Sequence, residues 1–577
     1  MQKFKSIISV MVILSMLFTG FAFANEDTVS TFVDVPKDHW AYKEIHELRN
    51  LKITDGIGDN KFGLGIVITR GEFAAFLVKL MQWELVSPEQ GSFTDNMDTT
   101  KWYYQPIETA LQHDVVSKAE KFRPSDHITR EEMAVMLVRA LGYKTLAEQL
   151  NSLESPFVDV SNNIGYITIA KDFGIINGVG NGLFKPDDTA KREEAAAMMT
   201  RMYQRLIQPI SELHGFYAIK SAGQADMIKK LDSIGFGWSR LEYDGEKDEI
   251  VLNTSRTNNN EYAIPQGYEE PLSMAKDNGV HASLMVLASN NTNINTKEGS
   301  NIPFIQYILT NTEKREQAIE AILSKVTNPM DGGILTMDGV VIDFEDMRGE
   351  LLRETFNIFL KELKSELDKR GKNLYVAVHP VRKPGQAYYD GYDYKTIGQI
   401  ADKVILMAHD YYAKQLTEAE MEMGYTITPV SPIDEVYYAL KAITDEEKGI
   451  EDRSKIWIQF SFDAVQWKLK EGKVINKYPY NPSYEAIQKR LMMEDVTINY
   501  SDRYQNPYAT FFDANDETQN VIWYEDSRSI RAKVDVAKMF GIQGVSLWRL
   551  GNIPDFQEND NKEIYLDVWG HILENIR

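Results

Sequence analysis

The residues best suited to do chemistry lie in one short run, Met337-Asp338-Gly339-Val340-Val341-Ile342-Asp343-Phe344-Glu345. It reads as a buried strand that ends in acid. Side chains on a strand alternate faces, so Val341, Asp343 and Glu345 share one face and Val340, Ile342 and Phe344 the other. Two carboxyls two residues apart in an apolar run cannot both ionise freely. One of them should hold a proton at neutral pH. A proton-bearing carboxyl beside a charged one is what acid-assisted glycosidic cleavage requires. The competing reading is an acidic loop that follows a core strand.

The pair needs a scaffold. Residues 205–577 alternate short β-rich runs with helical stretches, which argues for a parallel α/β architecture. The candidate strands are Leu213–Ile219, Gly237–Glu242, Ala282–Ala288, Gly339–Phe344, Leu374–Val378, Val404–Ala408, Ile456–Phe460 and Gly544–Trp548. Helices such as Glu354–Lys369 and Ser529–Phe540 lie between them. Eight strands over about 370 residues fit a (β/α)8 TIM barrel with insertions. The polar, aromatic-rich segment from Trp467 to Trp523 is long for one connection and predicts an inserted subdomain.

In such a barrel the active site lies at the C-terminal strand ends. The sixth candidate strand ends in Met407-Ala408-His409-Asp410-Tyr411-Tyr412 and the eighth in Trp548-Arg549. Carboxylates, an imidazole, tyrosines and a tryptophan thus converge on one mouth. Trp548 is read as a floor for a sugar ring or as core packing. Asp410 is read as a site residue or as a helix N-cap.

Composition narrows the partners. Lys+Arg is 63 against Asp+Glu 85, a formal charge of −22, which disfavours nucleic acid and anionic membranes. It suits a neutral glycan or a wall environment. The hydrophobic share of 43% is enough to build real cores. There is no cysteine, hence no disulfide, thiolate metal site or thiol nucleophile. Lys3 and Lys5, the apolar run Ile7–Phe23 and Ala22-Phe23-Ala24 read as a secretory leader over residues 1–24. An uncleaved membrane anchor is the competing reading. No other stretch approaches ~20 consecutive apolar residues, so the mature chain should be soluble, with no membrane contact.

Residues 31–204 repeat with a period of ~60 residues. Each unit opens on an aromatic-x-Asp turn: Phe32-Val33-Asp34, Phe93-Thr94-Asp95, Phe157-Val158-Asp159. Trp40 and Trp102 follow in two units. Phe62, Phe122 and Phe184 precede a polar loop, and a helix closes each unit at Thr69-Arg70-Gly71-Glu72, Thr129-Arg130-Glu131-Glu132 or Lys191-Arg192-Glu193-Glu194. Thr69 and Thr129 are good N-caps with acid in the first turn. These landmarks resemble the S-layer homology domain, present three times, at 25–88, 89–150 and 151–206. The resemblance implies a helical pseudo-threefold unit that binds a pyruvylated secondary cell-wall polymer, with Arg70, Arg130 and Arg192 in the grooves and Trp40 and Trp102 beside them. The alternative is that each Arg pairs with a neighbouring Glu. The third repeat, with Lys191 for Thr and Gly165-Tyr166 where Trp would stand, should have a weaker or purely structural groove.

Residues 207–577 resemble glycoside hydrolase family 18, whose fourth strand reads Asp-x-x-Asp-x-Asp-x-Glu. Here that is Asp338-x-x-Val341-x-Asp343-x-Glu345. The family's Met-x-Tyr-Asp maps to Met407-Ala408-His409-Asp410 and its eighth-strand Trp to Trp548. Trp523-Tyr524-Glu525-Asp526-Ser527-Arg528-Ser529 and Gly544-Val545-Ser546-Leu547-Trp548-Arg549-Leu550-Gly551 resemble the branch of spore-cortex N-acetylglucosaminidases. The resemblance implies substrate-assisted cleavage of β-1,4-linked N-acetylglucosamine glycans, peptidoglycan foremost. Glu345 would be acid and base and Asp343 the partner of the acetamide. His409 and Asp410 would assist, and Asp338, Tyr411 and Trp548 would bind substrate. No cofactor or metal is implied. Val341 for the family's Asp should let Asp343 ionise more easily, and His409 for Tyr would donate to the acetamide in one tautomer only. The expected setting is the cell wall or S-layer of a Gram-positive-type bacterium. A wall-anchored protein that binds glycan without cleaving it is the alternative function.

Overall fold

A computed structural model describes residues 31–329, 336–556 and 562–576. The leader segment lies outside the described residues. The chain divides into two units between Gln208 and Pro209.

In the first unit each repeat is a helix pair. The second members are α1 (Arg70–Leu80), α2 (Arg130–Ala140) and α3 (Arg192–Leu206). Thr69 and Thr129 close reciprocal capping boxes with Glu72 and Glu132. Lys191 has no hydroxyl to offer, yet Glu194 still accepts from its backbone N–H at 2.9 Å. The aromatic-x-Asp turns are hydrogen-bond sockets. Asp34 accepts from Phe62 N at 2.7 Å, Asp95 from Phe122 N at 2.8 Å and Asp159 from Phe184 N at 2.9 Å.

The repeats close on one another. Ile68 N donates to Ala190 O at 3.0 Å, Ala190 N to Ile128 O at 2.9 Å and Ile128 N to Ile68 O at 3.1 Å. The three arginines form an outer ring. Arg70 pairs with Glu132 at 2.6 Å, Arg130 with Glu194, and Arg192 with Glu72 at 2.9 Å. Each Nε donates to the carbonyl of Phe122, Phe184 or Phe62. Each guanidinium lies 5.0, 4.9 or 5.3 Å over that same ring.

Of the two readings of Arg70, Arg130 and Arg192, groove arginines or partners of a neighbouring Glu, the second set of contacts is present. They bind the neighbouring repeat, and Arg130 and Arg192 are only 6% and 3% exposed. In the third repeat, expected to have a weaker or purely structural groove, Arg192 makes the same set of contacts. What the third repeat lacks is the aromatic. Trp40 and Trp102 are 57% and 60% exposed, whereas a Cβ at Gly165 would sit 1.8 Å from Ala147 O.

The second unit is a closed barrel of eight parallel strands: β1 (Glu212–Tyr217), β2 (Ser233–Asp244), β3 (His281–Ser289), β4 (Gly339–Glu345), β5 (Asn373–Val378), β6 (Lys403–Met407), β7 (Ile456–Ser461) and β8 (Gly544–Trp548). Successive strands pair in parallel, and β1 pairs with both β2 and β8, which closes the ring. Strand Glu249–Asn253 adds antiparallel to the far half of β2. Between β7 and β8 a five-stranded antiparallel sheet and the helix Tyr484–Leu491 form the insertion. Phe216, Met285, Val341, Tyr375, Ala377, Ile405, Met407 and Trp457 fill the barrel. Val341 therefore faces inward, while Phe344 stacks outward on Phe356 and Phe359 at 5.8 and 5.2 Å.

Removing Arg192 leaves Glu72 unpaired and Phe62 uncovered. Arg192→Ala should cost the first unit about 3 kcal/mol, as much as Arg130→Ala. Urea unfolding followed by Trp fluorescence checks this; a cost under ~0.5 kcal/mol would mean the third link is ornamental.

Candidate active site

β4 delivers Asp343 and Glu345 to the C-terminal mouth on the inward face. Asp343 is 5% exposed, and its Oδ1 has no hydrogen-bond partner among the described residues. Burial raises its pKa to about 7, opposed by the charge of His409 and assisted by that of Asp346. The expectation that Val341 lets Asp343 ionise more easily concerns the missing like charge alone, and burial acts against it. Val341 removes a like charge, but it also supplies no hydrogen bond, and desolvation decides the outcome. Glu345 is likewise held well above its ordinary value, first by burial and then by the charges of Asp343, Asp346 and Asp410.

His409 and Asp410 leave β6 through a turn in which Asp410 has φ +61, a left-handed conformation that Asp tolerates. That turn brings neighbouring side chains together, with His409 Nδ1 3.5 Å from Asp410 Oδ2. Burial favours a neutral imidazole. The charge of Asp410, hydrogen bonds with Asp410 and Gln459, and the charge of Asp463 outweigh it, so His409 lies above its ordinary value. For Asp410, burial is overcome by the His409 charge and hydrogen bond and by Lys414, which lower it to about 2. A histidine whose protonated form is favoured thus sits with Asp410 beside two carboxyls whose neutral forms are favoured.

The left-handed turn also breaks the strand alternation, and this displaces one expected residue. Tyr411 does not face the mouth. Arg382 lies 4.8 Å over its ring, its buried hydroxyl has no partner among the described residues, and the charges that reach it are those of Glu435, Arg382 and Asp434. Tyr412 lies nearer the site carboxyls, Asp410 and Asp463. Its hydroxyl donates to Asp463 at 3.3 Å, Lys414 lies 3.5 Å over its ring, and it packs on Val430, Val465 and Trp523. Asp338 is corrected as well. It precedes the first residue of β4, so ~20 Å of strand separates it from Glu345. There it pairs with Lys276 at 2.6 Å and accepts from Ala282 N at 2.8 Å. Trp548 is half-buried against the barrel core, edge-on to Phe216 at 5.1 Å, and its bond to Arg549 is cis.

Three site neighbours went unread in the sequence. Tyr262 lies within the field of Asp343 and Glu345; burial and those charges raise its phenol. The buried Asn260 amide holds its loop, donating to Asn253 O, Ser255 O and Tyr262 O. Nothing in that loop's sequence points at the mouth. Asp463, two residues past β7, is raised by burial and by Asp410. Gln459 bonds His409 at 2.8 Å. Its signal was legible: a polar residue on the inward face of an apolar strand.

The family model for glycosyl hydrolases family 18 matches residues 258–552, more than half of the chain, and the chain belongs to that family. The S-layer homology domain matches residues 31–74, 92–134 and 156–196, and the chain carries three such domains. A cortical fragment-lytic enzyme of Bacillus anthracis is 30% identical over 219 residues, 37% of this chain and 46% of the relative. A putative sporulation-specific glycosylase, YdhD of Bacillus subtilis (strain 168), is 27% identical over 262 residues, 44% and 55% of the two chains. The chain spans about half the length of the curated relatives it matches. Among solved structures, the Bacillus cereus spore cortex-lytic enzyme SleL aligns at 22% identity with a TM-score of 0.47, covering 64% of this chain and 75% of that one. Among the described residues no helix is long and apolar enough to cross a membrane.

A raised carboxyl makes stability depend on pH. Asp343 goes from 3.8 unfolded to about 7 folded, so between those values the folded state binds more protons than the unfolded chain. The contribution is complete below the lower value and lost as pH rises through the upper one. Asp343→Asn removes the titration. Relative to wild type it should gain stability between pH 4 and pH 8, by up to roughly 4 kcal/mol. Urea titrations at the two pH values measure the gain, and no change would show an ordinary carboxylate.

Proposed function

We propose that the protein is a surface-anchored glycosidase that cleaves β-1,4-linked N-acetylglucosamine glycans, peptidoglycan foremost. The observation that carries this reading is the place of Glu345 at the barrel mouth beside the buried Asp343, where burial and neighbouring carboxylates favour its protonated form. Glu345 donates its proton to the bridging oxygen as the glycosidic bond breaks. The acetamido oxygen of the same sugar attacks the anomeric carbon and forms an oxazolinium. Asp343, unpartnered at Oδ1, receives the acetamide N–H and balances the positive charge. Glu345, now a carboxylate, takes a proton from water, which opens the ring with retention. Asp343 acts in its carboxylate form, present at neutral pH with a pKa of about 7, His409 beside Asp410 steadies that charge, and the Trp548 ring supports the sugar.

The three S-layer homology domains, matched in sequence, support residence at the cell surface. Exposed Trp40 and Trp102 offer stacking faces to a wall polymer. Tethering raises the wall glycan concentration that the barrel meets. The relatives' names, a cortical fragment-lytic enzyme and a sporulation-specific glycosylase, favour peptidoglycan over chitin.

The test uses a soluble N-acetylglucosamine oligomer and purified walls. New reducing ends should appear with wild type and fall on the order of 10³-fold with Glu345→Gln. De-N-acetylated oligomer should resist cleavage. Joint Trp40→Ala and Trp102→Ala should slow the attack on walls while sparing the soluble oligomer. Binding without reducing ends from wild type would make the protein a lectin, and cleavage of the de-N-acetylated oligomer would refute the participation of the acetamide.

A further inference from the structure

Beneath the mouth, the barrel holds a file of polar side chains that the chemistry above leaves unused. Along β7 the inward positions are Trp457, Gln459 and Ser461. Gln459 lies level with Met407 of β6 on one side and Ser546 of β8 on the other. It is 2% exposed, and Ser546 and His214 are fully buried. Its Oε1 is 2.8 Å from His409 Nε2. Its Nε2 donates to Ser546 Oγ at 3.3 Å, and that hydroxyl lies 2.8 Å from His214 Nδ1. His214 stacks on Trp457 at 4.7 Å.

An amide oxygen only accepts and an amide nitrogen only donates. The file therefore has one direction as far as Ser546: His409 Nε2–H to Gln459, and Gln459 to the Ser546 hydroxyl, which pairs with His214 Nδ1. Burial lowers His214 to about 3, so it stays neutral and anchors the far end. At the near end, His409 commits Nε2–H to the barrel and turns Nδ1 toward Asp410. A bare nitrogen facing a carboxylate binds a proton readily. The groups that face this ring are Asp343 on β4, His379 beyond β5, its neighbour Asp410, and Gln459 and Asp463 on and beyond β7.

We propose that Gln459, backed by Ser546 and His214, is a positioning residue that fixes the Nε2–H tautomer of His409 and so presents a bare Nδ1, which becomes a donor on protonation, on the Asp410 side of the site. The proposal rests on the glycosidase reading for its consequence, but not for its test. A phenol in this place would donate across the whole neutral range. An imidazole donates from Nδ1 only while it is protonated, so Gln459 sets the pH window in which the donor exists.

The full chain, labelled with [15N]histidine, is read by long-range 1H–15N correlation, with His409 assigned by its loss in His409→Asn. In wild type Nε2 should keep its proton throughout and only Nδ1 should titrate. In Gln459→Met the two tautomers should mix, and the His409-dependent limb of the kcat/KM profile should move to lower pH. There kcat should fall by ~10-fold or more with KM changed far less. Gln459→Glu, which keeps the acceptor, should restore the Nε2–H form and move the limb to higher pH. Ser546→Ala removes only the backing and should give the same changes in milder form, which covers the case in which Gln459→Met fails to fold. An unmoved Nε2 proton and an unmoved limb in Gln459→Met or Ser546→Ala would reduce Gln459 to packing. A wild type that cleaves nothing would sink the glycosidase reading, while the 15N spectra would still decide the role of Gln459.

Discussion

The second unit is organised around one electrostatic constraint. β4 carries a buried carboxyl, Asp343, and a half-buried one, Glu345, to the mouth, and among the described residues no cation is bonded to either. Charge–charge repulsion contributes, but desolvation is the larger effect on both. The surroundings are consistent with that order. The nearest cationic group, His409, is already engaged with Asp410, and Lys414 reaches Asp410 only at 3.9 Å. The site therefore favours the neutral form of the carboxyls on β4 and the protonated form of the imidazole beyond β6. A closed parallel barrel can do this because each strand hands its last inward residue to the same mouth.

The first unit answers a different problem. A single repeat is too small to bury its own face, so each borrows from the next. The borrowing is polar as well as apolar. One arginine per repeat satisfies a carbonyl, covers a phenyl ring and neutralises the capping-box glutamate of its neighbour. The residues that make the trimer of repeats cohere are thus the ones whose type and helix-start position look made for an anionic polymer. Exposed Trp40 and Trp102, which contribute little to that cohesion, are the freer surface.

Much of this was legible in the sequence, because the barrel strands are short apolar runs separated by helices and each has a definite period. All eight candidate strands overlap the observed ones, and the alternation in β4 correctly placed Val341 and Asp343 inward and Phe344 outward. The inserted sheet followed from one connection too long for a barrel loop. Legibility ended where backbone conformation or tertiary burial took over. The left-handed turn at Asp410 ends the strand alternation, so the surroundings of Tyr411 and Tyr412 follow from no alternation rule. Asp338 lay in the motif but at the wrong end of the strand. Tyr262 comes from a loop shaped by the Asn260 amide, a purely three-dimensional fact. The arginine ring was present in the sequence as one of two readings, and only the cyclic closure of the repeats distinguishes them.

The most direct test of this constraint observes the proton itself. In chain labelled with 13C at the glutamate carboxyls, the resonance that Glu345→Gln removes should still be that of a neutral acid at pH 7, and Asp343→Asn should lower its titration without bringing it to the ordinary value. A Glu345 carboxyl that ionises near the unperturbed 4.5 would contradict the stored proton, and with it the acid that the proposed cleavage requires.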